Sequence, residues 1–162
     1  MELQETPLLN GLFLLRAAER SEVSQIVELL AADAVTAPAT AGLPGNLEPY
    51  LQAYDAIAAD PAHGLVVCVD GDGRVAGTMQ LTLLPCLAAG GATRLQIEAV
   101  HVRADLRSKG LGAAMMEHAV AVGRQHGAGL MQLTSNGRRE SAHRFYQRLG
   151  FEASHVGFKL HL

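Results

Sequence analysis

The stretch that decides the fold runs from residue 98 to residue 116 and reads EAVHVRADLRSKGLGAAMM. Its first residues end the apolar run RLQIEAVHV, which predicts a strand over 94–102. From Ser108 onward, apolar residues recur at intervals of three and four, which predicts a helix. A short turn that contains basic residues and glycines joins the two elements. This turn is the part of the stretch whose residues indicate a binding function.

The turn has the features of a helix start that binds an anion. The first amides of a helix have no partner within the helix and carry partial positive charge. Gly110 and Gly112 lack the side chains that would keep a phosphate away from those amides, while Arg107 and Lys109 add positive charge. Incidental glycines remain an alternative on this segment alone. A dinucleotide-binding loop does not fit, because Met115 occupies the place of its third glycine, and the Gly-Lys-Ser/Thr of a Walker A loop is absent.

The rest of the chain predicts alternating elements around this stretch. Further strands are expected at 11–16, 65–69, 74–84, 129–134 and 151–160. Further helices are expected at 20–34, 48–59 and 139–149, and loops at 35–47 and 85–93. The sequence Asp-Gly-Asp-Gly at 70–73 predicts a hairpin turn. The expected fold is therefore α/β, with a mixed, mostly antiparallel central sheet and helices on both faces, in one domain spanning 1–162.

Composition limits the classes of function. Hydrophobic residues make up 49% of the chain, which argues against disorder, and a formal charge of -3 gives no general attraction to nucleic acid or to an anionic membrane. The apolar run LFLL near the N-terminus is too short to span a membrane and lacks a basic leader, so we expect a cytoplasmic protein. Cys68 and Cys86 have apolar surroundings and are expected to be buried free thiols. The seven histidines show no metal-ligand spacing, so no required metal is expected.

Two motifs resemble those of the GNAT superfamily of N-acetyltransferases. Arg107, Gly110 and Gly112 match its acyl-CoA pyrophosphate loop, R/Q-x-x-G-x-G/A. The segment AHRFYQRLGF at 142–151 resembles the superfamily's C-terminal signature A-x-x-x-Y-x-x-x-G-F. The four signature positions are filled by Ala142, Tyr146, Gly150 and Phe151. The order and separation of the motifs also fit, so the resemblance covers 11–162.

The resemblance implies an enzyme that transfers an acetyl group from acetyl-CoA to a primary amine of a small molecule by direct attack. Glu98 is the expected general base. Tyr146 is the expected general acid, which would protonate the departing sulfur of coenzyme A. The residues expected to bind the cofactor are Val100, His101, Val102, Arg107, Ser108, Lys109, Gly110, Leu111, Gly112, Ala113, Arg139 and Tyr146. Strict alternation along the strand would place Glu98, Val100 and Val102 on one face and the His101 side chain on the other, which favours a structural role for that side chain.

Some features depart from the family pattern or leave choices open. Ala104 stands where the family usually carries proline, and Arg139 stands where asparagine is frequent. The segment 134–160 also resembles aminoalkylphosphonate acetyltransferases. The acceptor is expected to enter near the loops at 35–50 and 85–93, and a homodimer is expected from the family. A protein or peptide acetyltransferase acting on N-termini or lysines, and a non-catalytic acyl-CoA sensor, remain alternatives.

Overall fold

A computed structural model describes residues 1–32, 45–160 and 162. The chain forms two compact units, Met1–Gln132 and Leu133–Leu162. The first unit holds most of the sheet and three of the helices. The second unit begins at the last residue of the final strand and contains the fourth helix. Of the expected loop at 35–47, the part from 35 to 44 lies outside the described residues.

A six-stranded sheet in which the strand order follows the chain order dominates the first unit. Its strands are β1 (Thr6–Leu8), β2 (Phe13–Ala17), β3 (His63–Asp70), β4 (Val75–Leu84), β5 (Arg94–Val102) and β6 (Leu130–Leu133). Each of the first four strands pairs antiparallel with the next. This confirms the mostly antiparallel sheet, and the bounds of β5 are those predicted from the sequence.

The helices are α1 (Val23–Ala31), α2 (Glu48–Ala59), α3 (Leu111–Gln125) and α4 (Glu140–Arg148). The α2 helix has the predicted bounds. The α1 helix begins later than predicted, because Arg20–Glu22 forms a separate 3-10 turn. That turn is held by a bidentate pair in which Arg16 donates to Glu22 at 2.9 and 2.8 Å.

Helices cover both faces of the sheet, as the sequence predicted. The α3 helix packs so closely on one face that a Cβ atom at Gly77 would lie 2.7 Å from the Met115 Sδ. On the opposite face, Ile26 and Leu29 of α1 join a buried cluster with Val67 and Val69. Gly77 is therefore a position where a close approach between strand and helix requires the absence of a side chain.

The predicted hairpin at 70–73 is present between β3 and β4. The Gly73 amide donates to the Asp70 carbonyl at 2.9 Å, and the Asp70 amide donates to the Arg74 carbonyl at 3.0 Å. The Asp70 carboxylate also accepts from the backbone amides of Asp72 and Arg74. An aspartate side chain that bonds its own turn explains why the local sequence was sufficient to predict this element.

The two ends of the chain differ from the expectation in different ways. The strand expected at 11–16 is present as β2, but β1, which pairs with it as the first arm of a hairpin, was missed; the Asn10-Gly11 dipeptide was the turn signal for that hairpin. The strand expected at 151–160 is absent, and Phe158 and Leu160 are almost fully exposed there. Alternating apolar residues can line one face of a strand, but a strand also needs a neighbour for its backbone bonds, which alternation does not supply.

The two cysteines differ in environment. Cys68 is fully buried in β3, and this burial, together with the nearby Asp70, raises the pKa of its thiol to about 12. Cys86 is only half-buried, so the expectation of burial holds for Cys68 alone, although both thiols are free. In the part of the chain that the structure describes, no helix has the length and apolar character needed to cross a membrane.

Candidate active site

A β-bulge interrupts β5 beside Glu98. Glu98 lies opposite Gln80 and His101 lies opposite Thr78, so two residues of β5 face the single residue Met79 of β4. Ala99, one of the two, has a φ of 53°, a left-handed conformation that is costly for a residue with a Cβ atom. The ladder of backbone bonds is therefore interrupted at Ala99 and Val100, where the family resemblance expects the acyl donor.

The bulge corrects the expected arrangement of side chains on β5. Residues paired across two strands share a face, and Thr78 and Gln80 share a face because they are two apart on β4. Glu98 and His101 therefore share that face as well. Val102 pairs with Gly77 and belongs to the opposite face. Strict alternation gave the wrong result because one extra residue reverses the side to which all later side chains point.

The Glu98 side chain is exposed, whereas its neighbour Ile97 is buried. The preceding part of β5 alternates regularly, with buried Leu95 and Ile97 against α3 and half-buried Arg94 and Gln96 on the side of Glu98. Glu98 therefore ends a row of polar side chains and presents its carboxylate to solvent.

The glycine-rich turn lies at the start of α3. Gly110 is the residue before the helix and has a φ of 89°, which a residue without a Cβ atom adopts freely. No side chain among the described residues caps the first turn of α3. Arg107, Ser108 and Lys109 are exposed beside it. The helix begins at Leu111 rather than near Ser108, so uncapped amides, a glycine and basic side chains converge at one point, which fits an anionic phosphate group.

Hydrogen bonds join this turn to the end of β5. The Arg107 Nε donates to the Val102 carbonyl at 3.1 Å. Arg103 donates to the Asp105 carboxylate at 2.8 Å and to the Asp70 carboxylate at 2.8 Å. Burial opposes ionisation of Asp70, but the hydrogen bonds from Arg103 and from the hairpin amides hold its pKa below the ordinary value. The glycine-rich turn is thus tied to the sheet at two places.

Tyr146 and Arg139 lie in the second unit. The Tyr146 ring makes edge-to-face contacts with Phe145 at 5.1 Å and with Phe151 at 5.8 Å between ring centres. Burial raises the pKa of the Tyr146 hydroxyl, and the positive charge of Arg139 opposes that rise in part. The Phe151 amide donates to the Tyr146 carbonyl at 3.0 Å, which closes α4. Tyr146 therefore lies in a small aromatic cluster with Phe145 and Phe151.

Sequence reasoning missed a polar network on the Glu98 face of the sheet. The Gln132 amide donates to Gln96 Oε1 at 2.7 Å, and Arg94 Nη1 donates to Gln132 Oε1 at 3.4 Å. His63 and Thr82 are hydrogen-bonded on the same face at 2.9 Å. The polar residues at alternate positions of RLQIE (94–98) were the feature of the sequence that could have predicted this network. Within the described residues, no three His, Cys, Asp or Glu side chains are grouped as a metal site.

Comparison with known proteins identifies the family. A model of the acetyltransferase (GNAT) family matches residues 26–151, which is most of the chain. A solved structure from Bacillus halodurans C-125, described as a transcriptional regulator, is 31% identical and has a TM-score of 0.83, covering 98% of this chain and 100% of that chain. The chain belongs to the GNAT family.

Two curated relatives are similar over shorter regions. The aminoalkylphosphonate N-acetyltransferase of Salmonella typhimurium is 36% identical over 63 residues, which are 39% of this chain and 41% of that protein. The glucosamine 6-phosphate N-acetyltransferase of Trypanosoma brucei brucei is 32% identical over 97 residues, which are 60% of this chain and 64% of that protein. The similarity thus spans less than two thirds of either relative.

Proposed function

We propose that this chain is an acetyl-CoA-dependent N-acetyltransferase that acts on a primary amine of a small molecule. The observation that carries the proposal is the start of α3, where Gly110 and the exposed Arg107 and Lys109 surround backbone amides that no described side chain caps. When bound, acetyl-CoA supplies an acetyl thioester, and transfer forms an amide C–N bond, breaks the C–S bond and moves one proton from the amine to the thiol.

The turn and the interrupted strand are the proposed binding surface for the acyl donor. Residues 107–113 would hold the pyrophosphate through the amides at the start of α3 and through the basic side chains. Backbone groups of Val100, His101 and Val102 would hold the pantetheine arm, as the family resemblance implies, and the bulge leaves Val100 without a paired residue on β4. The hydrogen bond from Arg107 to the Val102 carbonyl keeps these two segments together.

Glu98 is the proposed general base. A free alkylamine has a pKa near 10.4 and is protonated at neutral pH, so it must lose a proton before it can attack a carbonyl carbon. The Glu98 carboxylate is exposed beside the bulge and can accept that proton directly or through a water molecule. The His101 side chain lies on the same face of the sheet as Glu98.

Tyr146 is the proposed general acid, and Arg139 is proposed to contribute to cofactor binding from the same unit. A general acid must hold its proton at working pH, and burial of the Tyr146 hydroxyl raises its pKa and so favours the protonated form. The relatives named above support a small acceptor, since both are named for acetylating small molecules that carry an amino group.

The test is thermal unfolding of the purified chain with and without acetyl-CoA. Ligand at about 100 times its dissociation constant adds roughly 2.7 kcal/mol, which should raise the midpoint by several degrees. Gly112→Asp should abolish this rise, because it places a negative carboxylate at the phosphate. The matched variant Gly71→Asp introduces the same charge at an open position of the β3–β4 turn and should retain the rise.

Turnover is then measured as thiol release with a panel of small amines and peptides. Release with small amines, and its loss in Tyr146→Phe with the thermal shift retained, supports the proposal. No rise in the unfolding midpoint up to millimolar acetyl-CoA would refute donor binding. A rise without thiol release from any amine or peptide would instead indicate an acyl-CoA-binding protein without turnover.

A further inference from the structure

The polar row on β5 contains two opposite charges at a fixed separation. Arg94, Gln96 and Glu98 occupy alternate positions of a regular stretch of strand, so their side chains share one face of the sheet. The two charged residues are four positions apart along the strand, which places their Cα atoms about 13 Å apart. The neutral amide of Gln96 lies between them and is held by Gln132 at 2.7 Å.

Within the part of the chain that the structure describes, Arg94 has few partners for a half-buried guanidinium. Its side-chain hydrogen bond in the described part of the chain is a long one, at 3.4 Å, to the neutral amide oxygen of Gln132. Among the described residues, its buried Nε atom has no acceptor and no carboxylate forms an ion pair with the guanidinium. A cation that is partly removed from water without a counter-ion is unfavourable, and such a group is stabilised by any anion that can reach it.

The neighbouring network explains how this cation is kept in place. Gln132 accepts from Arg94 through Oε1 and donates to Gln96 through Nε2, so one side chain fixes both. This arrangement restrains the guanidinium without neutralising it. A side chain that served only to cover the strand would not need a positive charge or a buried Nε.

From this geometry we propose that Arg94 binds an anionic group of the acceptor, so that the acceptor is an amine that also carries a phosphate, phosphonate or carboxylate. The inference rests on the proposed acetyltransferase function. The amino end lies at Glu98 and the oxyanion at Arg94, while Gln96 offers a hydrogen bond to the middle of the molecule. A planar guanidinium can form paired hydrogen bonds to each of these oxyanions.

The experiment compares amines that differ only in an anionic group. Thiol release gives kcat/KM for O-phosphoethanolamine against ethanolamine, and for 4-aminobutyrate against butylamine, which separates a phosphate from a carboxylate source. A hydrogen-bonded charge pair should favour at least one anionic amine by roughly 10- to 100-fold. Arg94→Gln should reduce that ratio to near one, mainly through KM, and Arg94→Lys should retain part of it. Arg74→Gln, which removes one exposed positive charge from the β3–β4 turn, should leave the ratio unchanged.

A second measurement separates this inference from the proposed function. Binding of inorganic phosphate is followed by titration calorimetry at constant ionic strength, with the wild-type chain and with Arg94→Gln, after circular dichroism has shown that both are folded. Phosphate binding that Arg94→Gln removes supports the anion site, even if no amine is turned over and the enzymatic proposal fails. The inference is overturned if charged and neutral amines react equally well, or if a preference for charged amines survives in Arg94→Gln. It is also overturned if the wild-type chain shows neither a preference for anionic amines nor binding of phosphate.

Discussion

The two faces of the central strands differ sharply although they are built from adjacent residues. The face toward α3 carries Met79, Leu81, Leu95 and Ile97, all essentially without exposure. The opposite face at the same level carries polar side chains, of which Glu98 is exposed. The difference indicates that the α3 face supplies stability at this level, while α1 covers part of the other face and we propose that its exposed part around Glu98 serves binding and catalysis.

The largest effect is expected on the apolar face. Leu81→Ala removes a fully buried side chain and should lower the free energy of unfolding by roughly 3 kcal/mol, from lost burial and from the cavity that remains. Gln80→Ala, one residue away on the other face, should change it by no more than about 0.5 kcal/mol. Urea denaturation of both variants measures the contrast, and similar losses for the two would contradict the division between the faces.

The polar face should respond in activity rather than in stability. Glu98→Gln keeps the size and polarity of the side chain but removes the proposed base, so kcat/KM should fall roughly 100-fold or more while the unfolding midpoint stays unchanged. Glu117→Gln makes the same change at an exposed position of α3 and serves as the control. Steady-state thiol release measures kcat/KM for both variants, and full activity in Glu98→Gln would show that Glu98 is not the general base.

A smaller effect is expected where α3 approaches the sheet. A Cβ atom at Gly77 would also lie 3.1 Å from the His101 carbonyl, so Gly77→Ala must displace Met115 or the bulged strand. We expect a loss of roughly 1–3 kcal/mol in the free energy of unfolding. Gly71→Ala meets no atom within 4 Å and should be nearly neutral. Thermal unfolding that ranks the two variants in the opposite order would show that the packing described for α3 is incorrect.

The smallest effect concerns the ion pair between Arg103 and Asp70, which ties the end of β5 to the β3–β4 turn. Arg103→Gln should cost at most about 1 kcal/mol at pH 7, because both groups are partly exposed. The pKa of Asp70 is lowered in the folded state, so the pair stabilises the fold above the ordinary aspartate pKa, near 3.9. This contribution is lost as pH falls through the lowered value. The gap in unfolding midpoint between wild type and variant should therefore close below about pH 4, and a constant gap would contradict this origin.

Local signals in the sequence were sufficient to predict most elements and the glycine-rich turn that precedes α3. The bounds of α2 and β5 were predicted correctly because apolar periodicity and turn residues are properties of short segments. The candidate residues from 107 to 113 likewise form one continuous turn and helix start. The strand predicted at 151–160 failed because pairing depends on a neighbour that the segment itself does not contain.

The sequence by itself determined the family, the mixed sheet with helices on both faces, and the glycine turn that opens α3. The tertiary structure decided which side chains share a face. The bulge at Ala99 brings His101 to the side of Glu98. The register of β5 with its neighbours bonds Arg94 to Gln132, 38 residues away, with no ion pair to a carboxylate among the described residues. The physical reason is that periodicity is set along the chain, whereas register and ion pairing are set between strands that are distant in sequence.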